Sequence, residues 1–353
     1  MVMGAGAIGA FTAAQLARAD IPVTMVDPWF HHLEAVRRNG LRLVTPSEDV
    51  RVLVRTLHID ELDKSAPIDV AIVAVKSYDT EWAVRLVAPY MSDKGFVVSA
   101  QNGLNEERIA RMVGPGKTVG CVVHMGGGLY EPGTVTSTIQ PGWSAFSVGE
   151  LDGRTSTRIS LLAQILGTVG ATHVTDDIWS ALWTKLLLNV MSNGLSGLSG
   201  YSTTELWTDD VAVRAMVQLG GEAIQVAQLL DQKPNDIRPT GSPDPIRLES
   251  ILLAYQGDSS ALQDVAAAFR RSASRRIGTT EARASLLQDL LKGRRTEIDY
   301  LNGEIVRRGS DIGVSVSSNA QLVQLVKEVE SGTRAIQPDN IALLDAAVGN
   351  PGG

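Results

Sequence analysis

Three glycines near the start of this 353-residue chain constrain its fold more than any other feature. Gly4, Gly6 and Gly9 stand in the G-x-G-x-x-G spacing within the opening run MVMGAGAIG. A helix-like run, AFTAAQLARAD, follows, and then an apolar strand, VTMVD, that ends at Asp27. A dinucleotide-binding strand–helix–strand unit needs this order. The first glycine permits the tight turn, the second lets the backbone approach a pyrophosphate, and the third lets helix pack on strand. Gly4, Gly6, Ala7, Ile8 and Gly9 are therefore the expected phosphate cradle, at a helix N-terminus whose N–H groups and dipole favour anions. Asp27 is placed to accept hydrogen bonds from an adenosine ribose and to repel a 2′-phosphate. No Arg or Lys follows it until Arg37 and Arg38, so NAD is expected ahead of NADP. Only three residues precede Gly4, which is short for a first strand of about five; that strand is expected to fray.

The second constraint is the run ALWTKLLLNVMSNGLSGL at residues 181–198. Lys185, Asn189 and Asn193 recur there at i, i+4 and i+8, which stacks them on one face of a helix. Exposed helix faces usually carry Glu, Lys and Arg, not isolated Asn among Leu, Val and Met. Polar groups in an apolar helix cost about 1–3 kcal/mol each if left without a partner. The stripe is therefore expected to face a cavity that holds a polar ligand.

Length and composition set the frame for both features. At 353 residues the chain exceeds what one core usually supports, so two domains are expected. Hydrophobic residues make up 44%, charged residues 20%, and the net charge is −7, a balance that argues against nucleic-acid binding. The basic clusters at 270–276 and 292–295 read as helix faces or ends beside an anionic ligand. One cysteine, Cys121, excludes an intramolecular disulfide and a cysteine-rich metal site. The histidines lack H-x-x-x-H or H-E-x-x-H spacing, so no metal is expected; His124, after an apolar strand, is the one to watch. Without an apolar run of about eighteen residues or a signal-like start, no membrane partner is expected and the cytoplasm is the default location.

Strand and helix signals alternate to about residue 150. Runs such as DVAIVAV, apolar without alternation, predict parallel strands buried on both faces. GGGLYEPGTVTSTIQ and SAFSVGEL alternate and are turn-rich, so they read as antiparallel strands appended to that sheet. After a further helix and the short strand ATHVT, Asp176 and Asp177 can cap the polar-striped helix, and helical patterns continue to about residue 331. The expected fold is α/β: a Rossmann-type, doubly wound domain over residues 1–174 and an all-helical substrate and dimerisation domain over 175–353.

The motifs GAGAIG, VAVKSYDT, SAQNGLNEE, WTKLLLNVMSN and SLLQDLLKGRRTEIDYLNGEIV, in this order, resemble the ketopantoate reductase (2-dehydropantoate 2-reductase) family over most of the chain. The resemblance implies reduction of a 2-keto acid to a 2-hydroxy acid with NADPH. It implies that Lys76 lies near the cofactor, and that Asn102 contacts the nicotinamide end and the substrate. Lys185 corresponds to the general acid, Asn189 and Asn193 to substrate-pocket residues, Ser285 to a binder of the substrate carboxylate, and Glu297 to an active-site carboxylate. The same resemblance suggests a homodimer, for which an apolar helix face near 211–230 would serve, although burial within the same chain is equally compatible.

Chemistry supports the role of Lys185. Hydride addition to a carbonyl carbon leaves charge on oxygen, which an ammonium can stabilise and then protonate. Desolvation in an apolar helix favours the neutral amine and suits proton transfer near neutral pH. Glu297 could orient that lysine, hold a ribose hydroxyl, or pair at the surface with Arg294 or Arg295. Thr203 and Ala282 stand where the family tends to place asparagines, and Arg283 adjoins the second, which points to a different substrate. With NAD, oxidation of hydroxy acid to keto acid is the expected direction. Two further readings stay open: a dehydrogenase of a β-hydroxy acid, sugar acid or imine in the wider 6-phosphogluconate dehydrogenase-like group, and a non-catalytic NAD(P)-sensing protein.

Overall fold

The computed structural model describes residues 1–64, 67–140, 142–238, 245–275 and 283–345. Two compact units divide the chain, Met1–Leu182 and Trp183–Gly353, and the division falls inside one long helix.

The strands of the first unit are β1 (Val2–Met3), β2 (Thr24–Asp27), β3 (Leu41–Val44), β4 (Asp49–Val52), β5 (Arg55–His58), β6 (Ile68–Val73), β7 (Met91–Ser99), β8 (Thr118–Val123), β9 (Gly127–Glu131), β10 (Thr134–Ser137), β11 (Ser144–Glu150) and β12 (Ala171–Val174). Eight of them form one sheet in the order β12-β11-β8-β7-β6-β1-β2-β5. From β8 to β5 every pairing is parallel, and β11 joins β8 antiparallel, with Val148 opposite Cys121. The helices are α1 (Ala7–Arg18), α2 (Phe30–Asn39), α3 (Thr80–Val87), α4 (Glu106–Val113) and α5 (Thr157–Gly167).

Strand β1 is two residues long, yet it does not fray. Val2 pairs with Met25 on one side and Ile72 on the other, and both Val2 and Met3 are fully buried. A central strand has both edges bonded, so shortness costs it little.

β9 and β10 depart from the sequence reading. They do not extend the main sheet; they form a second sheet, β4-β3-β10-β9, and of the turn-rich segments only β11 joins the main one. The reason lies in α1, whose buried residues Gly9, Ala10, Phe11, Thr12, Ala13, Ala14 and Leu16 run round the helix and not along one stripe. One side of α1 packs on the main sheet; the other is covered by the small sheet, where Leu41, Leu43, Leu129 and Val135 share its core. A helix apolar all round needs cover on both sides.

The second unit is helical: α6 (Ile178–Ser199, begun in the first unit), α7 (Thr203–Thr208), α8 (Asp210–Leu229), α9 (Leu248–Tyr255), α10 (Ser259–Ser274), α11 (Ser285–Leu291), α12 (Asn302–Asp311), α13 (Ser317–Glu330) and α14 (Ala342–Asp345). Asp177 caps α6, its carboxylate accepting from the Ser180 amide at 3.0 Å and the Ser180 hydroxyl at 2.6 Å. A single helix from Thr296 to Gly309 does not form. The chain makes a 3-10 turn at Ile298–Tyr300, breaks at Leu301 with φ −110° and ψ −94°, and only then enters α12. Of the loop at 231–244, residues 239–244 lie outside the described residues; what precedes them is tied to α6 by the Asn235 amide bonding the Thr184 hydroxyl at 2.7 Å. The apolar residues of α8, from Ala212 to Ala227, are buried by this chain itself. A homodimer would therefore need another surface. Among the described residues no helix is long and apolar enough to cross a membrane.

Candidate functional site

Four neighbouring strands, β7-β6-β1-β2, end on the same side of the sheet, and each is followed by a residue group singled out from the sequence. In open parallel sheets, ligands bind beyond these carboxyl ends.

The glycine loop follows β1. Gly4 has φ +102°, and a Cβ there would come within 2.8 Å of the Val75 amide nitrogen. A Cβ at Gly9 would sit 1.9 Å from the Gly4 carbonyl oxygen. Both glycines are thus required by the chain's own packing. Gly6 differs: it is exposed, has φ −69°, and its Cβ would meet nothing within 4 Å. The chain leaves open space there, at the N-terminus of α1, where the first-turn N–H groups have no intrahelical acceptor. Such a cradle fits a dinucleotide's phosphates.

Asp27 closes β2. Its Oδ2 accepts from the Ala5 amide at 2.6 Å and its Oδ1 from the Trp29 amide at 2.8 Å, so the carboxylate binds the glycine loop to the turn at Pro28. Arg37, the first arginine after it, bonds Glu34, Glu61 and both the hydroxyl and carbonyl of Thr56.

Lys76 and Asn102 follow β6 and β7, and the loops that carry them are bound together by residues the sequence reading passed over. The Ser77 hydroxyl donates to the Asn102 carbonyl at 2.9 Å, and the Asn105 amide donates to the same oxygen at 2.7 Å. Gln101 donates to the Val75 carbonyl and the Thr80 hydroxyl, each at 2.8 Å, and Arg108 donates to Ser77 and Asn105. Ser77, Thr80, Gln101 and Asn105 all lie inside the motifs VAVKSYDT and SAQNGLNEE. Nothing in linear spacing shows that Ser77 and Asn105 meet.

In the helical unit Lys185, Asn189 and Asn193 all lie on α6; Lys185 is half-buried, and the asparagines are 6% and 8% exposed. Two other segments pack on this helix where it has glycines. A Cβ at Gly194 would lie 3.2 Å from Ile298, the neighbour of Glu297, and one at Gly197 would lie 2.2 Å from Leu286, the neighbour of Ser285. Glu297 is 4% exposed, so it is not a surface carboxylate; Arg295 pairs with Asp299 at 3.6 Å. Thr203 opens α7 beside a capping box made by Ser202 and Glu205. Ala282 lies outside the described residues.

Two other residues noted from the sequence, His124 and Cys121, lie in the first unit. His124 bonds the Ser147 hydroxyl at 2.9 Å through Nε2, and its own amide bonds the Ala145 carbonyl. Burial, and secondarily Glu106, pushes the Cys121 thiol pKa up, which leaves it protonated and unreactive. No group of three His, Cys, Asp or Glu is placed to hold a metal among the described residues.

Known proteins match this chain over most of its length. Residues 1–153 match the family model described as "Ketopantoate reductase PanE/ApbA", and residues 177–330 match its C-terminal counterpart. A 2-dehydropantoate 2-reductase from Archaeoglobus fulgidus is 29% identical over 334 residues, covering 94% of this chain and 97% of its own. The crystal structure of a PanE/ApbA family ketopantoate reductase from Ralstonia eutropha JMP134 superposes with a TM-score of 0.74 at 28% identity, covering 95% of this chain and all of that one. A D-mandelate dehydrogenase solved with NADH and anilino(oxo)acetate shares the fold, with a TM-score of 0.76 at 22% identity over 94% of this chain and 99% of its own. The family matches and the 2-dehydropantoate 2-reductase relatives place the chain among NAD(P)-dependent oxidoreductases acting on a CH–OH group. Within that class, the chain belongs to the ketopantoate reductase family.

Proposed function

We propose that the protein interconverts a 2-hydroxy acid and its 2-keto acid, with NAD preferred over NADP and with Lys185 as general acid–base. The observation that carries this reading is the stripe on α6, where a half-buried lysine shares a helix face with two buried asparagines.

The cofactor would be held by Gly4, Gly6, Ala7, Ile8 and Gly9 at its phosphates, by Asp27 at its ribose, and by Lys76 and Asn102 toward its nicotinamide. When bound, it supplies or accepts the hydride. The protein's own part is proton handling and orientation. In reduction, the Lys185 ammonium donates an Nζ proton to the oxygen on which charge develops; in oxidation, the neutral amine takes the hydroxyl proton. Asn189 and Asn193 orient the polar substrate, Ser285 binds its carboxylate, and Glu297 orients Lys185. The NAD preference is supported by the Asp27 carboxylate at the end of β2 and by the engagement of Arg37 with Glu34, Glu61 and Thr56, which leaves its charge already matched. Thr203, in place of an asparagine, supports a substrate other than ketopantoate.

The test is nicotinamide absorbance with NAD and NADP over a panel of 2-hydroxy and 3-hydroxy acids, for wild type and Lys185→Ala. Turnover of a 2-hydroxy acid with NAD, lowered ~10²–10⁴-fold in the variant, is the expected result. Turnover unaffected by the substitution removes Lys185 from its role. A strong NADP preference overturns the cofactor reading, and turnover confined to 3-hydroxy acids overturns the substrate class.

A further inference from the structure

Asn302 belongs to the TEIDYLNG motif, and none of the roles above uses it. It opens α12 and is fully buried. Its side-chain Nδ2 donates to two oxygens, the Val190 carbonyl at 2.9 Å and Asn319 Oδ1 at 2.9 Å. Asn319, also fully buried, donates onward to the Leu219 carbonyl at 3.1 Å and to Glu222 Oε2 at 2.8 Å. Glu222 in turn accepts from the backbone amides of Ser318 at 2.9 Å and Asn319 at 3.0 Å. A continuous chain of buried hydrogen bonds thus runs from α8 through α13 and α12 into the middle of α6.

The end of that chain is the informative part. Val190 lies directly after Asn189, well inside α6, where its carbonyl already has a helical acceptor role toward the amide four residues on. Asn302 occupies the second lone pair of an oxygen that needs no rescue. A buried amide is costly unless it is bonded, and an apolar side chain would fill the space without that demand. What an amide adds is direction. It favours one rotation and one axial position of α6, and a shift of that helix breaks the bond to the Val190 carbonyl in a dry interior. The neighbouring contact works the same way: Leu322 of α13 and Ile298 close on Gly194, where a Cβ would sit 2.7 and 3.2 Å from them.

We infer that Asn302 is a positioning residue for the reaction, its amide holding α6 through the Val190 carbonyl so that Lys185, Asn189 and Asn193 keep one fixed presentation. This rests on the reading of Lys185 as general acid–base.

Two substitutions test it. Asn302→Leu keeps the buried bulk and removes the donor; Asn302→Asp keeps the shape and turns oxygen toward two acceptor oxygens. Three quantities are read for each: kcat and KM per folded molecule, Kd for NAD, and amide hydrogen exchange over residues 189–194. The expected result is a fall in kcat of ~10–100-fold, since small misplacement of catalytic groups costs about that much. Kd for NAD stays within about twofold, a limit well under the tenfold that 1.4 kcal/mol would give. Exchange over 189–194 quickens at least ~10-fold relative to the rest of the helical unit. A lower melting temperature with kcat per folded molecule unchanged reduces Asn302 to a packing role and overturns the inference. Unchanged exchange over 189–194 overturns it as well, whatever Lys185 does. Failure of the underlying reading looks different: Lys185→Ala then keeps full turnover, whereas failure of this inference alone leaves Lys185→Ala inactive and Asn302→Leu active.

Discussion

Single positions already separate what the chain needs for folding from what it keeps for a ligand, and the three glycines of the opening loop show it. At Gly9 an added methyl would lie 1.9 Å from the Gly4 carbonyl oxygen, a distance no side chain can occupy without moving backbone. Gly9→Ala is expected to cost about 1–3 kcal/mol, as overpacking does, and to lower the melting temperature in calorimetry. At Gly6 the same methyl meets nothing, and the φ of −69° is open to any residue. Gly6→Ala is therefore expected to keep its melting temperature while NAD binding weakens ~10-fold or more by titration calorimetry, about 1.4 kcal/mol. If Gly6→Ala binds NAD as tightly as wild type, the open space is not the phosphate cradle.

Elements in the helical unit are joined by buried polar groups as well as by apolar packing. Glu222 on α8 caps α13 across space, accepting from two of the backbone amides that a helix start leaves unpaired. No residue beside α13 does that work: Val316, at its N-cap position, makes no side-chain cap bond. Glu222→Ala should cost ~2 kcal/mol, the upper end for a lost cap. That corresponds to a fall of roughly 4–8 °C in melting temperature for a unit of this size. A change under about 1 °C would mean that α13 is held by its apolar face alone. The paired loops after β6 and β7 follow the same logic. Ser77 and Asn105 both bond the Asn102 carbonyl, so the loops that carry Lys76 and Asn102 are tied to each other.

For the molecule as a whole, coenzyme binding and stability are linked. A ligand that binds only the folded state stabilises it by RT ln(1 + [L]/Kd), or ~2.7 kcal/mol at a hundredfold excess over Kd. With Asp27 at the end of β2 and Arg37 engaged elsewhere, NAD is expected to raise the melting temperature more than NADP at equal concentration. Equal shifts, or a larger one with NADP, would show that Asp27 serves the turn and the glycine loop and does not select the ribose.

Much of this was legible in the residues themselves, because it depends on short-range pattern. The glycine spacing before a helical run, the unbroken apolar run of DVAIVAV, and the i, i+4, i+8 polar stripe each report a local period, and the α/β fold with its helical second part followed from them. Three things were not legible, each because it is a contact between residues far apart in the chain. The small sheet that covers α1 pairs Thr134 with Arg42, and no local alternation says which sheet a strand will join. The two-residue β1 is held by neighbours on both edges, not by its own length. Asn302 reads as one more polar residue in a motif until its amide is seen against the Val190 carbonyl. Sequence by itself determined the kinds of element and the chemistry they carry, because helix and strand periods and side-chain types act over a few residues. Tertiary structure alone decided which polar groups meet, because a buried hydrogen bond depends on positions fixed to tenths of an ångström by packing between distant segments.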